Sequence, residues 1–402
     1  MADRLRDLRR RRGLTQEELA HASGLSLQVV KKIERGGSAR LETLHQLARA
    51  LGVVTLTFVG PTSPEPKEDN DDAVLADLRS AISPPMGLTG RPIYGSADDE
   101  ELDLEHLAKA VKLAERAYRT NRYDDLASFL PSLVRSAHHH VDGHSMDQGQ
   151  THREALQLRA DVVGLAGRYL IQIRAHDLAL VALHASLRDA LEIDDAARAA
   201  AAVSGQAHAM LRQGRLAEVE ILCAEAAMQL EPRLSKATPA QLSAWGWMLL
   251  RASAAAARNN RPHEAAEYQG MAAAAAAPLR REHPTVDQKS FGPATVALKA
   301  VENHLVSGAP DKALALASTL SRTEDLTDEE WNRHLLDRAR AHVQTGNAEE
   351  ATEVLVELRR RSPQWLRYQQ LGRDTLRDVL ATRARKLTEQ QRALADHMGI
   401  MD

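Results

Sequence analysis

A single cysteine, Cys223, stands in 402 residues, so neither an intrachain disulfide nor a cysteine zinc cluster is available, and its apolar helical neighbourhood marks it as core. Aromatic residues make up 3% of a chain that is 44% hydrophobic. Ala and Leu therefore supply most of the apolar surface, as in helical bundles or helical repeats where small side chains permit close packing. Alternating β-branched residues occur only briefly, over 53–59. No run approaches the roughly eighteen apolar residues of a membrane span, and the basic start of the chain lacks the apolar core of a secretion signal. A cytoplasmic protein with no membrane association is expected. A Gly-rich phosphate cradle followed by Lys and a Gly-x-Ser-x-Gly elbow are both missing. No enzyme activity and no cofactor are expected.

Two stretches come near to metal chemistry. His263-Glu264-Ala265-Ala266-Glu267 has the start of a zinc-peptidase helix, but its fifth residue is Glu where the second His ligand is required. His138, His139, His140 and His144, with Asp142, hold enough imidazole for zinc or nickel. They read as a histidine-rich loop between helices, because a Gly-containing loop does not make ligands converge. No metal site is expected.

The length implies two or more units, and charge separates them. Residues 1–60 carry eleven Lys+Arg against six Asp+Glu, a net +5, while the whole chain carries −3. A short basic module on an acidic body suits a nucleic-acid reader.

Within that module Gly13-Leu14-Thr15-Gln16-Glu17-Glu18-Leu19-Ala20, Ser23-Gly24-Leu25-Ser26 and Ile33-Glu34-Arg35-Gly36 spell two short helices around a glycine-bearing turn. At about 100° per residue, Val30 and Ile33 fall within roughly 60° of each other and define a buried side. Leu27, Lys31, Gln28 and Lys32 fill the opposite arc, with Val29 on its flank. A glutamine can pair two-pronged with an adenine edge and a leucine can meet a thymine methyl, so Gln28 and Leu27 are expected to read bases. Lys31 and Lys32 are expected on phosphates, which fix register more than sequence. Ser26 is placed to cap the reading helix, with DNA contact secondary. Arg35 and Arg40, with Arg10, Arg11 and Arg12, are further phosphate candidates; a solvated helix face is the alternative for any one of them.

These residues resemble the XRE-type, phage-repressor-like helix-turn-helix family over the first sixty positions. The resemblance implies that Gln16 grips the DNA backbone, that Arg9 and Glu34 form an internal ion pair, and that the chain acts as a homodimer on double-stranded DNA, with a palindromic operator.

From 61 to 105 the composition turns to Pro, Gly and acid, including Pro64-Glu65-Pro66, Glu68-Asp69-Asn70-Asp71-Asp72 and Ser83-Pro84-Pro85. This reads as an acidic linker. Val74, Leu75, Leu78 and Ile82 share one side of a short docking helix within it.

The remainder, 106–402, repeats. Placing Asn121, Arg174, Gly214, Asn260, Gly308 and Gly346 at one turn position brings Ala114, Gly167, Ala207, Ser253, Val301 and Ala339 into register seven residues earlier. Leu126, Ala179, Val219, Ala265, Ala313 and Ala351 align five residues later. The offsets resemble tetratricopeptide repeats, although the spacing exceeds 34. The expected fold is all-α: a helix-turn-helix domain followed by a TPR-like solenoid of helical hairpins. Such stacking gives a groove walled by first helices. The register turns Arg168, Gln172, His208, Arg212, Trp247, Arg258, Glu302 and Arg340 into it. Arginine suits a carboxylate-bearing peptide or small-molecule ligand, and Trp247 suits an apolar anchor.

Joined to an XRE reader, the repeats resemble actinobacterial relatives of peptide-responsive quorum-sensing regulators, and Phe291-Gly292-Pro293 resembles a segment of those proteins. There Thr-Asn-Val commonly follows; here Ala294-Thr295-Val296 does. The resemblance implies a transcriptional regulator whose repeat domain senses a signal and dimerises. The alternative is an interaction scaffold or antitoxin-like adaptor with autoregulatory DNA binding.

Overall fold

The computed structural model describes residues 5–6, 9–10, 14–37, 39, 41–51, 69–88, 93, 101–146, 149–381 and 387–400. The fold is all-α, a helix-turn-helix domain followed by a helical-repeat-like region. The strand-like stretch over 53–59, the linker residues 61–68, 89–92 and 94–100, and Arg11, Arg12 and Arg40 lie outside the described residues.

Three helices with bounds in the first domain are α1 (Gln16–Ser23), α2 (Leu27–Glu34) and α3 (Leu41–Leu51). Their core is Leu19, Ala20, Val30, Ile33, Leu44, Leu47, Ala48 and Leu51, joined by Leu5. Helix α4 (Asp69–Ile82) begins a few residues before the docking helix read from the sequence. Leu75, Leu78 and Ile82 bury its apolar side, and Arg135 pairs with Asp77. The side chain of Val74 lies outside the described ones.

Six helical hairpins follow: α5 (Leu104–Arg119) with α6 (Tyr123–Gly143), α7 (Gln150–Gln172) with α8 (His176–Glu192), α9 (Ala196–Arg212) with α10 (Leu216–Leu230), α11 (Pro239–Arg258) with α12 (Pro262–Ala276), α13 (Pro293–Val306) with α14 (Pro310–Ala317), and α15 (Asp328–Gln344) with α16 (Ala348–Arg361). Each hairpin turns on one device. Asn121, Arg174, Gly214, Asn260, Gly308 and Gly346 all have left-handed backbones, with φ between 57° and 83°. The amide after each of them donates to the carbonyl five residues back, at 2.8–3.0 Å, as in Arg122 to Ala117 and Asn347 to His342. This is the Schellman closure, which satisfies the orphan carbonyls at a helix end and selects Gly or Asn for its left-handed residue. The small residues aligned seven positions earlier are all buried, as are those five positions later. A Cβ on Gly167 would fall 2.6 Å from Leu183 Cγ across the hairpin, so the close approach requires glycine there. Asp194, φ 56°, makes the same turn between the second and third hairpins, a position the repeat alignment did not single out.

First helices pack on first helices, α5 on α7 and onward to α15, which gives one continuous inner wall. Three short helices complete the described chain: α17 (Pro363–Arg367), α18 (Gln370–Ala381) and α19 (Glu389–Met398). They fold back on the beginning of the series. Tyr123 meets Tyr368 edge-on at 5.9 Å, and Asn121 donates to Ser362 Oγ at 3.4 Å. One hydrophobic cluster accordingly joins residues of the first two hairpins to those of the last.

Two features depart from the sequence reading. His138, His139 and His140 belong to helix α6, which runs to Gly143, rather than to a loop; buried Leu133, Val134, Ala137 and Val141 keep the helical period going through them. Between α12 and α13 a tongue carries two short antiparallel strands, β1 (His283–Pro284) and β2 (Ser290–Phe291), where only helix was expected. Among the described residues no helix is long and apolar enough to cross a membrane, and no group of His, Cys, Asp and Glu converges as a metal site.

Candidate nucleic-acid interface

Helix α1 starts at a reciprocal cap: Thr15 Oγ1 accepts from the Glu18 amide at 3.2 Å and Glu18 Oε2 accepts from the Thr15 amide at 2.7 Å. It ends at Gly24, whose φ of 69° needs a residue without a Cβ penalty. Ser26 then caps α2, its Oγ accepting from the Val29 amide at 3.4 Å. These three devices set the angle between the two helices.

Burial divides α2 as the wheel required. Val30 and Ile33 are buried against α1 and α3, whereas Ser26, Gln28, Lys32 and Arg35 are exposed. Leu27, Val29 and Lys31 are half-buried at the margins. Among the described residues Lys31, Lys32 and Arg35 have no carboxylate within 4 Å, so their charge faces solvent uncompensated. Gly37 leaves room for Lys32. A Cβ there would come 2.7 Å from Lys32 Cγ and 2.8 Å from its carbonyl oxygen, a role the sequence reading missed.

Behind this face the helices are bolted by charge. Arg9 donates from Nε and from its terminal nitrogen to the two carboxylate oxygens of Glu34, at 2.7 and 3.1 Å, and also to the Leu14 carbonyl at 2.8 Å. Arg6 donates to the Glu34 carbonyl at 2.7 Å. Burial pushes the Glu34 carboxyl up, but hydrogen bonds from Arg9 and Gln16 and the charges of Arg9 and Arg6 outweigh it and hold the group below the usual range. Gln16, expected on the DNA backbone, spends its amide nitrogen on Glu34 Oε2 at 2.6 Å. In this position it joins the start of α1 to the end of α2.

Residues 5–59 match the helix-turn-helix family model HTH_3. Sixty residues are 47% identical to the uncharacterized HTH-type transcriptional regulator y4dJ of Sinorhizobium fredii, a match that takes in 15% of this chain and 78% of that protein. The chain belongs to the helix-turn-helix family. The family likeness resides in the domain that carries the exposed Gln28–Lys32 edge.

The residues turned toward the inner wall by the repeat register meet different fates. Gln172 is buried, donating to Tyr118 Oη at 3.3 Å and Glu329 at 3.0 Å and accepting from Gln369 at 3.2 Å. Arg340 is buried against Asp378 at 2.5 Å. Trp247 lies inside as well, its indole nitrogen donating to the Ser290 carbonyl at 3.0 Å, so it anchors the tongue instead of an open groove wall. These three are interior because the tongue and the carboxyl-terminal helices cover the wall that a bare solenoid would expose. Arg258 and Glu302 pair with each other, and Glu302 also receives Lys299 at 2.9 Å and Arg333 at 3.2 Å. Arg168 is half-buried, its guanidinium 5.4 Å from the Tyr118 ring centroid. Arg212 is exposed, and its Nε lies 3.4 Å from Nε2 of half-buried His208.

Proposed function

We propose that this protein is a sequence-specific, DNA-binding transcriptional regulator that acts as a homodimer, its TPR-like region binding a peptide or small-molecule signal. The observation that carries the DNA-binding part is the division of α2. Val30 and Ile33 are locked in the core, Arg9 and Gln16 hold Glu34, and the edge bearing Gln28 and Lys32 is open. Gln28 and Leu27 read bases, Lys31, Lys32 and Arg35 meet phosphates, and Ser26 shapes the helix entry. One such module buries little surface, and two of them on a twofold operator supply the missing affinity.

Signal control is supported by the joining of this reader to a stacked-hairpin wall on which Lys299, Glu302, Arg333 and Asp337 line a pocket. A ligand alters transcription only if it favours one arrangement of the two readers over another.

Titration of operator duplexes at several salt concentrations tests the reading face. Gln28→Ala should lose about 1–3 kcal/mol of discrimination at one base position. Lys32→Ala should weaken all duplexes alike and reduce the salt slope by about one. Unchanged binding by both variants sinks the assignment.

A further inference from the structure

Most cationic side chains on the inner wall are committed. Arg258, Arg333 and Lys299 surround Glu302, Arg333 also holds Asp337 at 3.1 Å, and Arg340 holds Asp378. Arg168 lines a small pocket beside Glu115, Asp161 and Asp287. Arg212 and Arg251 differ. Among the described residues no carboxylate lies within 4 Å of either, although Arg251 is only 8% exposed. The Nε of Arg251 reaches Ser204 Oγ at 3.4 Å, and its guanidinium sits 5.3 Å from the Trp247 ring centroid. The tongue places Lys289 at 5.3 Å from the same ring.

A guanidinium taken out of water without a counter-charge is costly, and folded chains ordinarily supply the carboxylate. Around Arg251 the charges of Glu302, Asp287 and Glu329 offset part of that cost from beyond 4 Å, and Lys289 is itself paired with Asp287 at 2.6 Å, whereas Arg212 has Arg333, Arg258 and Arg251 about it. Arg212 is exposed at the end of α9, yet the wall packed around it removes part of its water. That desolvation, followed by the charge of Arg333, pushes it down to about 10, with Glu302 opposing. Burial and then Arg251, Arg212, Lys289 and Lys299 push His208 well below its usual range, so at neutral pH it is an uncharged hydrogen-bonding group. Lys299 and Arg333 also line a small pocket with Glu302 and Asp337.

We propose that Arg212, Arg251 and His208 form an anion subsite on the inner wall that takes the carboxylate or phosphate group of a small ligand. The two guanidiniums belong to adjacent first helices, α9 and α11, and offer forked donors to one planar or tetrahedral oxyanion. His208 sits one turn from Arg212 and supplies a neutral donor. The subsite rests on the reading that the repeat region binds a signal, and it narrows that signal to a compact anionic head group, because the tongue is fastened across the inner wall through Ser290, whose carbonyl accepts from Trp247 and whose amide donates to Glu330.

Calorimetric titration of the full-length chain with inorganic phosphate and, separately, with acetate tests this, at constant ionic strength set with sodium chloride. Saturable binding of at least one anion is expected, weakened about tenfold or more in Arg212→Ala or in Arg251→Met, each checked for a wild-type melting curve. The tighter of the two anions identifies the head group. Arg215→Ala, which removes an exposed arginine already paired with Glu218, should bind as wild type. Absence of saturable binding to either anion, or wild-type binding in both subsite variants, overturns the subsite. Saturable binding that leaves operator affinity unchanged keeps the subsite and removes the signal-sensing reading. Operator affinity that responds to some other compound while neither anion binds does the reverse.

Discussion

The ring of Phe291 lies on the backbone of Gly246: a Cβ added there would fall 1.9 Å from Phe291 Cζ. The contact seats the tongue on α11, beside the hydrogen bond from Trp247 to the Ser290 carbonyl. Gly246→Ala must displace a fully buried aromatic ring and is expected to cost about 2–3 kcal/mol. Thermal unfolding checks it, and Phe291→Leu in the same chain should recover part of the loss, because the shorter side chain makes room for the methyl. An additive double variant would show that the ring and the glycine do not meet.

The turns that join the hairpins lend themselves to a two-way test. Gly214 and Gly308 have φ of 78° and 76°, so Ala at either should destabilise by about 1–2 kcal/mol. Asp194 holds the same conformation with a side chain, and Asp194→Gly should be neutral or stabilising by up to about 1 kcal/mol. Chemical denaturation of the three variants reads both signs. Equal behaviour of all three would sink the common-turn account.

This asymmetry also explains how much was legible in the chain. A left-handed residue penalises most side chains, so Gly and Asn mark five of the six hairpin turns in the sequence itself, Arg174 being found only by its place in the repeat, and counting back seven or forward five finds the small buried contacts. Asp194 escaped because aspartate carries no such mark alone. The tongue escaped for a different reason: two strands of two residues have no period to detect, and their register depends on Trp247 and Glu330, which are distant in sequence. Once the tongue covers the wall, faces assigned by helical period alone no longer tell exposed residues from buried ones. Trp247 therefore became an interior anchor, and Arg251, one turn further along the same helix, became a buried guanidinium with no carboxylate within 4 Å among the described residues. Among the described residues of the first domain no later element covers α2, and its wheel sufficed to sort Val30 and Ile33 from Gln28 and Lys32.

Arg9 and Glu34 are both largely buried, and removing one leaves the other without its counter-charge. Arg9→Met is expected to destabilise the first domain by about 3 kcal/mol. Glu34 is held below its usual range when folded. Its contribution is thus fully present above the unfolded value near about 4.3 and is lost as pH falls through that value toward the folded one. Amide hydrogen exchange over α1 and α2 should show protection that is flat from neutral pH to about 5.5 and then declines. Protection in Arg9→Met that equals wild type at pH 7 would contradict the bolt.

Cys223 has no measurable exposure, and burial pushes its thiol up to about 12. The thiolate is the reactive form, so at pH 8 the native protein holds almost none of it, and what exists cannot be reached by a reagent in solution. Alkylation by iodoacetamide should therefore proceed only through opening of α10 against α9 and α11, whose residues Ala207, Met210, Val219 and Ala252 enclose the sulfur. The rate should rise steeply across the denaturant transition. Below it, the rate should follow the stability of the middle hairpins: faster in Gly214→Ala, whose strained turn joins α9 to α10, and unchanged in Arg9→Met, which weakens only the helix-turn-helix domain. Labelling that responds equally to both variants would mean that the reader and the repeats unfold as one cooperative unit.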